Sequence, residues 1–114
     1  MNKEIVMYIN GAYCPSVALA RSLMNRYNIS YREIDIADDP AMAARVKEWT
    51  KFHSVPTLII AKTGEDVPYI DILPRPTDRP NRGYDRGPMI SEPTNQELEN
   101  WLHKYDFLDK PYQR

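Results

Sequence analysis

The sequence is short of the residues that staple, steer or anchor a chain. It has one cysteine, Cys14, so no internal disulfide can form, and a reducing cytoplasmic setting is expected rather than a secreted scaffold held by bridges. Neither sign of charge is in excess: 15 Lys and Arg against 16 Asp and Glu leave a net charge of −1, so bulk charge steers the protein toward neither nucleic acid nor an anionic membrane. Long apolar runs are absent. Behind M-N-K-E only the five residues Ile5 to Ile9 run together, well short of a signal-peptide core or the roughly 20 residues of a membrane span. The two histidines, His53 and His103, lie far apart with no second cysteine or spaced carboxylates, so no metal is expected. No internal repeat of 20 to 50 residues is visible.

What is present reads as one domain, residues 1–114, with enough chain for a single core. Ile5 to Ile9 (I-V-M-Y-I), closed by Asn10-Gly11, has the continuous apolar pattern of a strand covered on both faces. From Pro15, apolar Ala18, Leu19, Leu23, Met24 and Tyr27 recur at helical spacing to about Asn28, with Pro15 at the first helical position, where its missing N–H costs nothing. Ile29 to Ile36 has the composition of a second strand. Asp39-Pro40 opens a helix with Met42, Val46 and Trp49 on one face, lasting to about Lys51. Val55 to Ala61 (V-P-T-L-I-I-A) is the third strand. Lys62-Thr63-Gly64-Glu65 reads as a hairpin turn into a fourth strand, Asp66 to Ile72, which Pro68 confines to a sheet edge. Leu73 to Pro93 carries five of the ten prolines, four arginines and two glycines, and is expected to be a long loop. Thr94 to Glu97 has the form of a capping box, and Leu98, Trp101, Leu102 and Tyr105 give the last helix an apolar face to about Asp106. The tail from Asp109 is expected to fray.

The order β-α-β-α-β-β-α implies an α/β fold, a mixed four-stranded sheet with helices on both faces. Strands joined through helices are expected to run parallel and the last two to form an antiparallel hairpin. In such sheets the working groove lies at the carboxyl ends of the strands, where Tyr13-Cys14 leaves the first one. Cys14 there stands just before a helix whose free N–H groups and dipole favour the thiolate. A lone intracellular cysteine is otherwise most often a small buried hydrophobe, but a strand-to-helix junction with proline directly after the cysteine is a redox arrangement. Trp49 and Trp101 fall on apolar helix faces and are expected in the core. His53, three residues before Pro56, is expected as an exposed loop residue within reach of the thiol.

With Tyr13-Cys14-Pro15-Ser16-Val17 (Y-C-P-S-V) followed about 40 residues on by Ser54 to Ile60 (S-V-P-T-L-I-I), the chain resembles the glutaredoxins of the thioredoxin fold over roughly residues 4 to 66 and the final helix. The Y-C-P-S-V segment sits where that family has an aromatic-Cys-Pro-x-Cys active site, and S-V-P-T-L-I-I is similar to its T-V-P-T strand. The resemblance implies that Cys14 is the catalytic thiol and that Tyr13 and Pro15 flank it. It also implies that the Val55–Pro56 bond is cis, and that Val55, Pro56 and Thr57 dock the cysteinyl part of glutathione like an added strand. Val17 stands where dithiol members carry their resolving cysteine, so a mixed disulfide on Cys14 must be cleared by an external thiol, as in monothiol glutaredoxins. Cys-Pro-Ser-Val is similar as well to the active sites of cysteine-bearing glutathione transferases, whose all-helical second domain is not expected here.

Gly11 stands where the family usually has a lysine, and the family's Gly-Gly before the last helix does not occur. The substitutes expected for holding glutathione carboxylates are the free N–H groups after Thr94 and the loop residues Arg75, Arg79, Arg82 and Arg86. The expected function is monothiol thiol-disulfide exchange on glutathione mixed disulfides, with glutathione as co-substrate and glutathione or a glutathionylated protein as partner. Two readings compete. One is a non-catalytic thioredoxin-fold module binding a protein through the cis-proline groove or the 73–93 loop. The other is an iron–sulfur cluster carrier, disfavoured because such relatives carry Cys-Gly-Phe-Ser.

Overall fold

The computed structural model describes residues 2–11 and 14–108. Ala12, Tyr13 and the tail from Asp109, where fraying is expected, lie outside them. The chain forms β1 (Lys3–Ile9), α1 (Pro15–Arg26), β2 (Tyr31–Asp35), a 3-10 turn (Ile36–Asp38), α2 (Pro40–Thr50), β3 (Thr57–Lys62), β4 (Met89–Ser91) and α3 (Asn95–Lys104). They build one mixed four-stranded sheet in the order β2-β1-β3-β4.

Alternation explains the two layers. Ile5, Met7 and Ile9 of β1 and Leu58 and Ile60 of β3 point to the face covered by α1 and α3, where Val17, Leu23, Met24, Leu98, Trp101 and Leu102 complete one cluster. Val6, Tyr8, Ile59 and Ala61 point the other way and, with Met89, meet Val46 of α2 and Ile36. Both sides of the central strands are therefore dry, which is why I-V-M-Y-I and T-L-I-I-A read as continuous apolar runs. Each fully buried Ile, Leu or Met contributes about 1.5–3 kcal/mol relative to exposure. Trp101 is buried in the first cluster, and Trp49 lies at the margin of the second, edge-on to Tyr8 with ring centroids 5.5 Å apart. Asp39 caps α2 by accepting the Met42 N–H at 3.2 Å, and Thr94 and Glu97 form the full capping box of α3.

Two expectations fail. First, β3 runs antiparallel to β1, with Tyr8 opposite Thr57 and Lys3 opposite Lys62, whereas β2 is parallel, with Ile9 opposite Asp35. Asp35 and Thr57 thus both lie at the carboxyl end of β1: α2 sets out from that end, and the chain returns to it after Lys51, which ends the helix at φ 70°. The parallel rule holds when the helix carries the chain back to the opposite edge, and here it does not.

Second, Asp66 to Ile72 is not a strand. One main-chain bond, from Tyr69 N–H to the Ile60 carbonyl at 2.9 Å, brings this segment beside β3, and Val67, Ile70 and Leu73 remain exposed. The fourth strand is Met89–Ser91, inside the segment expected to be loop. Its three side chains are buried, and it pairs antiparallel with Thr57, Leu58 and Ile59. The reason is packing: Pro68 lacks a ladder donor, while Met89 and Ile90 fill one face each of the core.

The segment between β3 and β4 is ordered by specific anchors. Arg86 is buried, and its guanidinium donates to the carbonyls of Leu73 at 2.8 Å and Trp49 at 2.7 Å. Burial pulls the Arg86 pKa below its ordinary value, and the nearby Arg75 adds to the effect. Trp101 Nε1 donates to the Gly87 carbonyl at 2.8 Å, and Lys104 pairs with Asp85 at 3.1 Å. Gly83 N–H donates to the Ser91 carbonyl at 2.7 Å and Arg82 forms a bridge to Ser91, so residues 81–83 cover the outer edge of β4. Gly83 has φ 71°, and a Cβ there would overlap the Glu97 carboxylate, so glycine answers both the backbone conformation and the close approach.

Candidate active site

The carboxyl end of β1 delivers the chain to Cys14, the N-cap of α1. Its backbone is extended (φ −140°, ψ 122°), its carbonyl accepts the Ala18 N–H at 3.0 Å, and Pro15 occupies the first helical position. Among the described residues no side chain caps α1, and its first turn contains no acidic residue, so neither competes with a thiolate for the N–H groups of that turn. Cys14 is half-buried against the α1/α3 cluster and is not in a disulfide.

Because β3 is antiparallel to β1, its start lies at the same end of the sheet. Thr57 pairs with Tyr8, and the preceding Val55–Pro56 peptide is cis. Three bonds hold this turn. Thr57 Oγ1 donates to the Ser54 carbonyl at 2.7 Å and, with its single proton so used, accepts the Ser91 hydroxyl at 2.8 Å. The Pro56 carbonyl accepts the Glu92 N–H at 2.8 Å. Among the described residues no main-chain hydrogen bond involves Val55, so its N–H and C=O remain for an incoming strand.

A chain with this topology, one thiol at the first strand-to-helix junction and a cis-proline turn at the same end of the sheet matches a family model: glutaredoxin, over residues 5–65, more than half of the sequence. The protein belongs to the glutaredoxin family. No curated protein matches it. The sheet is that of the thioredoxin-like fold, and membership implies a glutathione-dependent thiol redox role. Among the described residues no three His, Cys, Asp or Glu side chains gather as metal ligands, and no helix is long and apolar enough to cross a membrane.

The remaining expected site residues of this glutaredoxin divide. Tyr13 lies outside the described residues. Gly11 donates its N–H to Asp35 Oδ1 at 3.0 Å, so a carboxylate stands beside the position where relatives carry a lysine. Thr94 lies two residues beyond Glu92, but its hydroxyl accepts the Glu97 N–H at 3.2 Å and its own N–H donates to Glu97 Oε1 at 2.8 Å. Thr94 therefore serves the helix, leaving the N–H groups of Asn95 and Gln96 for a ligand.

The four loop arginines are not equivalent. Arg86 is buried against carbonyls, Arg79 lies over the Tyr84 ring and donates to the Arg82 carbonyl, and Arg75 is exposed further along the loop. Arg82 alone reaches the turn beside Pro56, pairing with Glu92 at 3.0 Å.

That turn opens on a cavity of about 750 Å³ lined by Phe52, His53, Ser54, Pro80, Asn81, Arg82 and Glu92. Cys14 is not among its described lining residues. His53 is exposed there, as expected. Sequence reasoning missed Glu92 and Phe52. Glu92 has φ 48°, a left-handed conformation in the connection where relatives place Gly-Gly, and only the structure reveals it. Phe52 was the readable signal: an aromatic side chain just past the end of a helix, between that helix and the V-P-T turn.

Proposed function

We propose that this glutaredoxin is a monothiol oxidoreductase, one domain over residues 1–114, acting on glutathione mixed disulfides through Cys14. The observation that carries the reading is the single thiol at the N-cap of α1, at the end of the sheet where the Val55–Thr57 turn begins β3. The Cys14 thiolate attacks the glutathione sulfur of a glutathionylated protein. An S–S bond forms between Cys14 and glutathione, and the protein thiolate leaves and takes a proton from water. A second glutathione thiolate then attacks the glutathione sulfur, releasing oxidised glutathione and restoring the Cys14 thiolate. Val17 fills the place of a resolving thiol and is buried, so the external thiol is obligatory.

In this reading Val55 offers its N–H and C=O to the cysteinyl backbone, with Pro56 and Thr57 shaping the turn and Pro15 and Tyr13 flanking the thiol. The N–H groups after Thr94 receive a glutathione carboxylate. A cytoplasmic setting, and no nucleic-acid or membrane partner, go with the lone cysteine and the near-zero net charge.

The test is incubation with oxidised glutathione followed by intact mass. One glutathione adduct, absent from Cys14→Ser and removed by reduced glutathione, is expected; no adduct on the unmodified chain would overturn the reading. The ordered loop favours a second reading, a protein-binding module on the same fold, whose mark is partner binding that survives Cys14→Ser.

A further inference from the structure

The cavity beside Pro56 is built mainly by residues that the redox step does not use. Its walls are joined. Thr50, fully buried, accepts the Phe52 N–H on its hydroxyl at 3.1 Å, and its carbonyl accepts Asn81 Nδ2 at 3.0 Å, tying the end of α2 to the loop. On the other side Arg82 and Glu92 pair at 3.0 Å, and Glu92 is fixed to Pro56 by its N–H. The cavity is therefore preformed rather than a gap beneath a loose strand.

Of its polar lining groups, Asn81 is bonded to the Thr50 carbonyl and Arg82 is paired with Glu92. Phe52 is 66% exposed, the most exposed of the large hydrophobic residues among the described residues, and Pro80 faces the same space. An apolar wall with a guanidinium at its edge suits a flat aromatic side chain, which gains area from Phe52 and Pro80 and a cation–π contact from Arg82. The cavity also continues from the turn whose main chain receives the substrate, through Ser54 and Glu92.

We propose that this cavity takes an aromatic side chain of a polypeptide substrate, near in sequence to the cysteine whose disulfide Cys14 attacks. The proposal rests on the redox reading of Cys14 and adds the substrate class: unfolded or extended protein segments bearing Phe, Tyr or Trp close to a glutathionylated cysteine. The cavity makes no covalent step. It selects which mixed disulfides reach the thiol, so its effect falls on KM rather than kcat.

The test uses glutathionylated heptapeptides with a central cysteine and a single Phe moved through each position, against an all-Ser reference. Binding is measured to full-length Cys14→Ser, and turnover to the unmodified chain, with the small mixed disulfide of glutathione and 2-mercaptoethanol as a second substrate. One position is expected where Phe tightens binding about ten-fold. Adding Phe52→Ala should remove most of that gain and Phe52→Trp retain it. Phe52 is exposed, so neither change disturbs the core. In turnover, Phe52→Ala should raise KM for the aromatic peptide at least about five-fold more than for the small disulfide. No positional preference, or equal loss by Phe52→Ala on aromatic and Ser peptides, would overturn the proposal. Equal loss on peptide and small disulfide would overturn it too, showing that the cavity holds glutathione itself. Failure of the redox reading would look different: no turnover of any substrate, while the binding arm still decides the cavity.

Discussion

Residues 3–62 and residues 63–91 are held by different means. In the first, strands bury alternate side chains in two clusters, and no single contact carries the structure. In the second, prolines and exposed apolar residues leave little to bury before Met89. A few donors do the holding instead: Arg86 to Leu73 and Trp49, Asn81 to Thr50, Trp101 to Gly87, and Lys104 to Asp85. Distributed burial tolerates change and follows a periodic pattern, whereas a point anchor does neither. The cavity sits where the two regimes meet, with Phe52 to Ser54 from the first and Pro80 to Arg82 from the second.

Trp101, on α3 outside both stretches, packs in a cluster of the first and bonds to Gly87 of the second, so its variants weigh them directly. Trp101→Ala should cost about 3–5 kcal/mol in urea unfolding, through lost burial. Trp101→Phe keeps most of the ring volume and should cost about 1–2 kcal/mol, chiefly the bond to Gly87. Equal costs would mean that the loop anchor dominates even in the core.

Arg86→Met is expected to cost about 2–3 kcal/mol, the scale of hydrogen bonds from a charged donor to buried carbonyls. Its hydrogen exchange should rise in residues 73–88 while β1 amides keep their protection. A loss of protection in β1 as large as that in the loop would break the division into two regions.

Gly83→Ala should cost about 1–3 kcal/mol, since it strains a left-handed position and pushes on Glu97 of the capping box. The difference should shrink in a Glu97→Ala background.

The smallest effect belongs to the surface network that closes the first region. Arg32 pairs with Glu4 at 3.0 Å and Asp66 at 2.8 Å. The Arg32 hydrogen bond, then the Gly64 N–H, hold the Glu4 carboxyl below its ordinary value of 4.5. A depressed carboxyl stabilises the fold above its unfolded value, and that contribution is lost as pH falls through the folded one. Arg32→Gln should therefore cost less than about 1 kcal/mol at pH 7, with the gap to the unmodified protein closing in acid. Thermal unfolding between pH 3 and 7 reads this out.

Much of the architecture was legible because its causes are local. Five-residue apolar runs, Pro15 and Pro40 at helix starts, and T-N-Q-E before an apolar face each state an element within a few residues. The thiol was legible for the same reason, since Cys-Pro at a strand-to-helix junction is a local pattern. Met89-Ile90-Ser91 was not. Three residues behind Arg-Gly-Pro have no period to detect, and only their pairing with Thr57 to Ile59 makes them a strand. Asp66 to Ile72 had the composition of a strand and no partner to use it. Thr94 had the form of a ligand residue, but its hydroxyl is spent on its own helix.

By itself, then, the sequence determined the helices, the two apolar strands at the centre, the caps and the single thiol, all from spacing and side-chain type over one or two turns of chain. Tertiary structure decided the direction of β3, the place of β4 and the existence of the cavity. A parallel β3 would have put Val55 to Thr57 at the far end of β1, about 20 Å from the Cys14 junction at some 3.3 Å per residue. Nothing within residues 40–56 specifies whether the chain crosses the sheet or returns, because that choice rests on which strand edge and which apolar face remain open once the rest has packed. The cavity likewise needs Thr50 and Asn81, 31 residues apart, to meet. Pairing across such separations is settled by the whole fold and leaves no local mark.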